Sequence, residues 1–114
     1  MFIDHKAVLP LDFDGLRIID YTGGRETSSS FAEITVPPGA RHKVSWSRRS
    51  DKLYYVIAGL IDFRLDGKSK SMSPGDVCVV PQGARFDYTN SGSQDAKVIL
   101  VHTPSFKLES EVFE

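Results

Sequence analysis

Apolar and polar side chains alternate along several short stretches of this chain. The stretches 32–36, 61–65 and 86–90 place an apolar or aromatic residue at nearly every second position. A period of two residues is typical of a β-strand with one buried face. The run Val77–Val80 is apolar throughout and predicts a buried strand. No segment of about a dozen residues carries the 3.6-residue apolar stripe of a helix.

Turn-forming residues separate these stretches about every 8–12 residues, as in an all-β sandwich or barrel. They are Gly23-Gly24, Pro37-Pro38-Gly39, Ala58-Gly59, Asp66-Gly67, Pro74-Gly75, Pro81-Gln82-Gly83 and Asn90-Ser91-Gly92. We predict one all-β domain over residues 1–114, with a core barrel over about 30–104 and N-terminal strands within 1–29. The short C-terminal tail 105–114 is expected to be loose or packed on a partner.

Two glycine-anchored frames occupy the middle of the chain. The first contains Gly39, Ser45, Ser47, Lys52 and Gly59, and the second contains Gly75, Pro81, Gly83, Phe86 and Asn90. Their spacing resembles the two-motif signature of the cupin family, G-x5-H-x-H-x4-E-x6-G and G-x5-P-x-G-x2-H-x3-N. The resemblance covers close to half of the chain. It implies a cupin-type double-stranded β-helix, which is a jelly-roll barrel of two sheets.

The resemblance also implies where a metal would be bound in the family, and those positions hold the wrong residues. Two His, one Glu and a last His bind the metal in metal-binding cupins, whereas this chain has Ser45, Ser47, Lys52 and Phe86 there. Hydroxyls are poor ligands for transition metals, phenylalanine has no lone pair, and an ammonium group repels a cation. We therefore expect no metal and no other cofactor.

Strand alternation predicts the lining of the barrel cavity. If the four family positions face inward, the lining consists of Ser45, Ser47, Lys52, Tyr54, Phe86 and Tyr88. His102 ends an apolar strand and either faces the cavity or caps the strand. These seven residues are the candidate ligand-binding set. His42 lies outside the family pattern and is expected at the surface or rim.

Lys52 is the one candidate catalytic residue, because burial of an unpaired ammonium group is costly and lowers its pKa. It would hold an anionic ligand, act as a base or Schiff-base nucleophile, or pair with Asp51 or another carboxylate. The aromatic residues would stack on a ligand or simply fill the barrel.

Three functions remain open from these residues. The first is metal-independent binding of a small anionic, aromatic or sugar-like molecule. The second is a metal-free isomerase, epimerase or cyclase that acts on a sugar or polyketide-like substrate. The third is a structural or regulatory homodimer with a filled barrel, paired through the outward Val44 and Trp46.

Composition excludes several other classes. The net charge of −1 gives no electrostatic reason for a nucleic-acid partner, and no apolar run approaches the length that crosses a membrane. The single cysteine, Cys78, cannot form an internal disulfide and is expected to be a buried structural thiol. No secretory signal is visible, so a cytoplasmic location is expected.

Overall fold

The computed structural model describes residues 1–114, and it is built almost entirely from β-strands. The strands are β1 Leu11–Phe13, β2 Leu16–Asp20, β3 Ser30–Val36, β4 Arg41–Ser47, β5 Asp51–Ala58, β6 Ile61–Leu65, β7 Lys68–Met72, β8 Val77–Val80, β9 Phe86–Thr89, β10 Ala96–Thr103 and β11 Glu111–Phe113. Two single-turn 3-10 helices, His5–Ala7 and Leu108–Ser110, complete the structure. No helix has the length and apolar character needed to cross a membrane.

The strands form two antiparallel sheets that face each other. The six-stranded sheet has the order β1-β2-β3-β10-β5-β8, and the five-stranded sheet has the order β11-β4-β9-β6-β7. Strands that are distant in the chain are neighbours in both sheets, as in a jelly-roll. The expected all-β, two-sheet cupin architecture is therefore confirmed.

The predicted alternation is seen in the burial of the strands. In β6, Ile61 and Phe63 are buried while Asp62 and Arg64 are exposed, and β3 and β9 also bury every second side chain. The frame residue Asn90 is buried, and its amide donates hydrogen bonds to the carbonyls of Val36 and Gln94 at 2.8 and 2.7 Å. That side chain ties the end of β9 to neighbouring turns, which explains why the frame requires an amide there.

Gly59 is the frame glycine with the strictest steric requirement. Its φ is +74°, and a Cβ there would lie 2.7 Å from the Ala96 Cα and 2.7 Å from the Asp95 carbonyl oxygen. We expect Gly59→Ala to lower the free energy of unfolding by about 3 kcal/mol, from left-handed strain plus overpacking against backbone. Gly67→Ala is the matched control, since Gly67 has φ +82° and open space around its Cα. Urea unfolding of both variants measures the difference, and equal losses would contradict the packing argument.

Three sequence-based expectations about the fold are wrong. Val77 and Val79 on β8 are 54% and 52% exposed, because β8 is an edge strand covered on one face only. Trp46 is not a free apolar patch, since its ring lies 5.0 Å from the Arg48 guanidinium and 5.9 Å from that of Arg85. The tail 105–114 packs on its own chain, where β11 pairs with β4.

Candidate functional site

A cavity of about 360 Å³ lies between the two sheets. Twelve of the 18 residues that line it are hydrophobic. The other six are Asp20, Ser30, His42, Lys52, His102 and Glu111, and the hydroxyls of Tyr54 and Tyr88 add two polar groups to the lining. A mainly apolar pocket with a few converging polar groups is the usual form of a small-molecule site.

The register of the six-stranded sheet brings three of these polar residues into one row. His102 on β10 is the partner of Ser30 on β3 and of Lys52 on β5. Cross-strand partners point to the same side of a sheet, so all three side chains face the other sheet. Burial lowers the pKa of His102 to about 3, and the Lys52 charge acts in the same direction. The imidazole is therefore neutral at neutral pH.

The charge of Lys52 is balanced by a buried carboxylate from the C-terminal segment. Lys52 Nζ donates to Glu111 Oε1, and both side chains are only 4% exposed. The pairing of Glu111 with Ser47 in the β11–β4 ladder places the carboxylate over the cavity. The ammonium also lies 4.7 Å from the centre of the Phe86 ring. Burial lowers the pKa of Lys52, and Glu111 opposes that shift. Of the roles expected for Lys52, the structure shows pairing with a carboxylate, and that carboxylate belongs to Glu111.

His42 faces the cavity, contrary to the expectation of a surface or rim position. It is only 9% exposed, and a register shift in the β4–β9 ladder explains its direction. His42 pairs with Tyr88 and Ser45 with Phe86, so three steps along β4 match two along β9. This β-bulge lets His42 and Ser45 both point inward although they are three positions apart, which would place them on opposite faces of a regular strand.

The bulge also determines which nitrogen of His42 carries the proton. Nδ1 lies 2.7 Å from the carbonyl oxygen of Lys43, which can only accept, so Nδ1–H is the donor. Nε2 is then left with a free lone pair and makes no hydrogen bond within the chain. Burial lowers the pKa of His42 to about 4, and Lys52 lowers it further while the Lys43 hydrogen bond opposes the shift. His42 is thus a neutral imidazole with one defined tautomer.

Aromatic rings fill the barrel on the other side of His42. Tyr54, Phe63, Phe86 and Tyr88 pack with ring centres 5.2–5.9 Å apart, and His42 lies 5.1 Å from Phe86 and 5.2 Å from Tyr88. The barrel is therefore filled on the β6–β9 side and open on the β1–β2–β3 side.

The buried Tyr88 hydroxyl and His102 Nε2 have no hydrogen-bond partner in the chain. Burial raises the pKa of Tyr88, so its hydroxyl remains a proton donor.

The seven sequence-predicted site residues divide into two groups. Lys52, Tyr54, Tyr88 and His102 line the cavity together. The expectation that the other three line it is wrong, although Ser45, Ser47 and Phe86 are all buried. Ser45 Oγ donates to the Lys43 carbonyl, and Ser47 Oγ accepts from the backbone amides of Arg49 and Ser50. The two hydroxyls support the backbone of β4 and its following turn, and Phe86 belongs to the aromatic cluster. Ligand binding by any of the seven stays a prediction.

The residues at the family's metal position do not fit a transition metal. The Ser45 and Ser47 hydroxyls are engaged with backbone groups, and Lys52 carries a positive charge beside the Phe86 ring. No group of three or more His, Cys, Asp or Glu side chains is arranged to hold a metal. We therefore derive no chemistry through a metal.

Acid is expected to destabilise the fold, because both cavity imidazoles are held neutral. The ordinary pKa of histidine is 6.5, whereas burial lowers it to about 4 in His42 and about 3 in His102. At a pH between these values, the two imidazoles bind protons in the unfolded chain but not in the folded one. The free energy of unfolding therefore falls as the pH falls through this window. We expect a loss of about 2–3 kcal/mol per imidazole between pH 7 and pH 4.

Urea unfolding at both pH values measures this loss in the wild type and in His102→Gln, where it should be smaller. His5→Gln is the control, since the His5 side chain is 71% exposed and should leave the loss unchanged. An identical loss in the wild type and His102→Gln would contradict the assignment.

The family model of the cupin domain matches residues 32–102. The chain belongs to the cupin family. It is 31% identical over 110 residues to Endoribonuclease YbeY of Myxococcus xanthus, a match that covers 90% of this chain but 35% of that protein. It is 28% identical over 71 residues to the oxalate-binding protein of Thermotoga maritima, covering 62% of this cupin and 59% of the relative. The cupin therefore spans between one third and two thirds of these curated relatives.

Among solved structures, this cupin resembles Pac13, described as a nucleoside dehydratase. The superposition has a TM-score of 0.86 and covers 100% of this chain and 90% of that chain, at 20% identity. A variant of the Streptomyces protein with a histidine replaced by glutamine was solved with uridine, and it superimposes on this cupin with the same TM-score of 0.86. At this identity the likeness establishes the fold.

Proposed function

We propose that this cupin binds a small, uncharged, ring-bearing molecule of the nucleoside or sugar type and moves a proton on it without a metal. One observation carries the proposal. The imidazole of His42 lines the cavity with its proton held on Nδ1 by the Lys43 carbonyl, which leaves the Nε2 lone pair free. A neutral imidazole oriented in this way is a general base.

The cavity supports a ligand of this class by its size and by its unpaired polar atoms. Its volume of about 360 Å³ is within the usual range for small-molecule pockets. The buried Tyr88 hydroxyl and His102 Nε2 lack partners in the chain, and a polar ligand would satisfy both. The Lys52 charge is already neutralised by Glu111, so nothing in this pair favours an anionic ligand.

The residues support loss of water or isomerisation as the reaction. His42 Nε2 would take a proton from a carbon next to a carbonyl group, and the electron pair left behind would form a double bond to the following carbon and expel the hydroxyl group that this second carbon carries. Lys52, the only Lys or Arg that lines the cavity, would give that hydroxyl its proton, so that water leaves. Protons exchanged with solvent after product release would restore both groups. The resemblance to a nucleoside dehydratase supports this class, and the activity of this chain is our proposal.

A binding protein without turnover is the second candidate, and one observation favours it. A base works best when its pKa is near the working pH, whereas the pKa of His42 is lowered to about 4. A carrier or sensor would use the same cavity and the same unpaired polar atoms.

Incubation with carbonyl-bearing nucleosides and sugars separates the two candidates. Loss of one water from the ligand, detected by mass spectrometry, or formation of an isomer, detected by chromatography, supports the enzyme if it is unaffected by prior dialysis against a chelator. Saturable binding in calorimetry without any product supports the carrier. If no nucleoside or sugar binds, both candidates are excluded.

We propose further that the chain forms a homodimer through the outer face of the six-stranded sheet. That face exposes Phe31, Leu53, Tyr55, Ile57, Val77 and Val79, each between 38% and 54% accessible. Exposed apolar patches of this kind commonly mark protein interfaces. Sedimentation at micromolar concentration should give a dimer for the wild type and a monomer for Val79→Asp. A wild-type monomer would remove the proposal.

A further inference from the structure

One charged residue in the cavity wall has no role in the chemistry proposed above. Asp20 ends β2 and is paired with Ala32 on β3, so its side chain faces the cavity with that alanine. None of the hydrogen bonds or ion pairs of the chain uses its carboxylate. It is half-buried, which leaves both oxygens available to a molecule inside the cavity.

The turn that follows β2 leaves room for this carboxylate. A Cβ at Gly23 would lie 2.5 Å from Asp20 Oδ2 and 2.9 Å from its Cγ. The φ of Gly23 is not in the left-handed region, so its backbone conformation does not itself require glycine. What glycine provides at this position is space for the Asp20 carboxylate.

Asp20 also determines the net charge of the cavity. The charged residues of the lining are Asp20, Lys52 and Glu111, and the latter two neutralise each other in their buried pair. Both imidazoles are neutral because burial lowers their pKa values. The lining therefore carries one uncompensated negative charge, at Asp20. The basic residues of β4 and its following turn, such as Arg41 and Arg48, do not line the cavity.

We infer that Asp20 is a specificity residue that accepts hydrogen bonds from hydroxyl groups of an uncharged ligand and excludes anions. The two carboxylate oxygens suit a pair of neighbouring hydroxyls, such as the diol of a ribose ring. A phosphate or dicarboxylate would instead bring further negative charge into a cavity that already has an unpaired negative charge and no free cation. The inference rests on the proposed function, and it divides the ligand class into nucleosides and sugars, which are accepted, and their phosphates, which are rejected.

Calorimetric titration with uridine and with uridine 5′-monophosphate tests this selectivity. We expect the monophosphate to bind the wild type at least about tenfold more weakly than uridine, because its charge is repelled. Asp20→Asn should weaken uridine binding by about tenfold, since a charge-assisted hydrogen bond is lost, and should bring the two affinities closer together.

Gly23→Ala provides a second test that keeps the carboxylate and only displaces it. It should shift the uridine preference in the same direction as Asp20→Asn. Gly24→Ala is the control in the same turn, because a Cβ there meets nothing within 4 Å and adds only the backbone strain of a φ of +73°. Thermal unfolding of each variant confirms that it folds, and Asp20→Glu, which keeps the charge, should retain the rejection of the monophosphate if Asp20→Asn does not fold.

The outcomes separate the inference from the proposed function. If the wild type binds uridine and its monophosphate equally, or if Asp20→Asn and Gly23→Ala leave the ratio unchanged, Asp20 has no such role while the cavity remains a nucleoside site. An equal shift in Gly24→Ala would also overturn the inference, since the turn itself would then be responsible. If neither uridine nor any sugar binds, the proposed function fails and the inference fails with it.

Discussion

Glu111→Gln is expected to lower the free energy of unfolding by about 3–5 kcal/mol, because it leaves the ammonium of Lys52 buried without its partner. Both side chains are 4% exposed, so water cannot take over the lost interaction. Lys52→Met should lower the free energy of unfolding by a comparable amount, because it leaves the Glu111 carboxylate buried without its partner. Replacing both residues together, as Lys52→Met with Glu111→Leu, should recover most of the loss, since no charge then remains buried.

Glu114→Gln is the matched control for this prediction. Glu114 follows β11 directly and binds Arg85 at 3.0 Å, but those two side chains are 39% and 59% exposed. A solvent-exposed ion pair contributes about 0–1 kcal/mol, so the control should change stability very little. Urea unfolding at neutral pH measures the free energy of unfolding of the four variants and of the wild type. Similar losses for Glu111→Gln and Glu114→Gln would show that burial of the Lys52–Glu111 pair has no energetic role.

His42→Gln is expected to reduce kcat by about a hundredfold to ten-thousandfold, the usual contribution of a general base. Glutamine retains a polar side chain that can lie near the Lys43 carbonyl, but it has no basic nitrogen. Ligand affinity should change much less than turnover. Tyr88→Phe serves as the comparison, since it removes a hydroxyl with no partner in the chain and should weaken binding more than it slows the reaction.

The pH profile provides a second test of this prediction, provided that the protein is shown by its fluorescence to remain folded at each pH. Because the pKa of His42 is lowered to about 4, the base stays unprotonated as the pH falls, and activity should decline only near that value. A decline near pH 6.5 would exclude His42 as the base in this environment. Undiminished turnover in His42→Gln would exclude it altogether.

The local alternation of side chains was sufficient to predict much of the barrel. Strands β5 and β9 are regular, so inward Lys52 and Phe86 correctly imply inward Tyr54 and Tyr88. His102 faces the cavity because it continues the same alternation to the end of β10. The turn residues of the two frames fall where steric room or a buried amide is needed, as Gly59 and Asn90 illustrate.

The rest of the site depends on contacts between residues distant in sequence, which a period of two cannot reveal. Glu111 reaches Lys52 only because β11 pairs with β4, and a strand of three residues is too short to show a pattern. Asp20 enters the cavity through the pairing of β2 with β3. The only local signal for Glu111 was the apolar Phe113 two positions later, which shares its face.

The bulge in β4 has a consequence for how relatives of this cupin are aligned. Between His42 and Ser45 the strand holds one residue more than its neighbour requires. A relative with a regular β4 would have one residue fewer there, and an ungapped alignment would match His42 to a position whose side chain points away from the cavity. Deleting a single residue between the two would turn the imidazole outward, and it would also shorten the interval between Gly39 and Ser45, so the first frame would lose the family spacing. A relative that keeps the spacing of the first frame therefore also keeps the residue that the bulge holds, and a relative that lacks it presents a different side chain to the cavity.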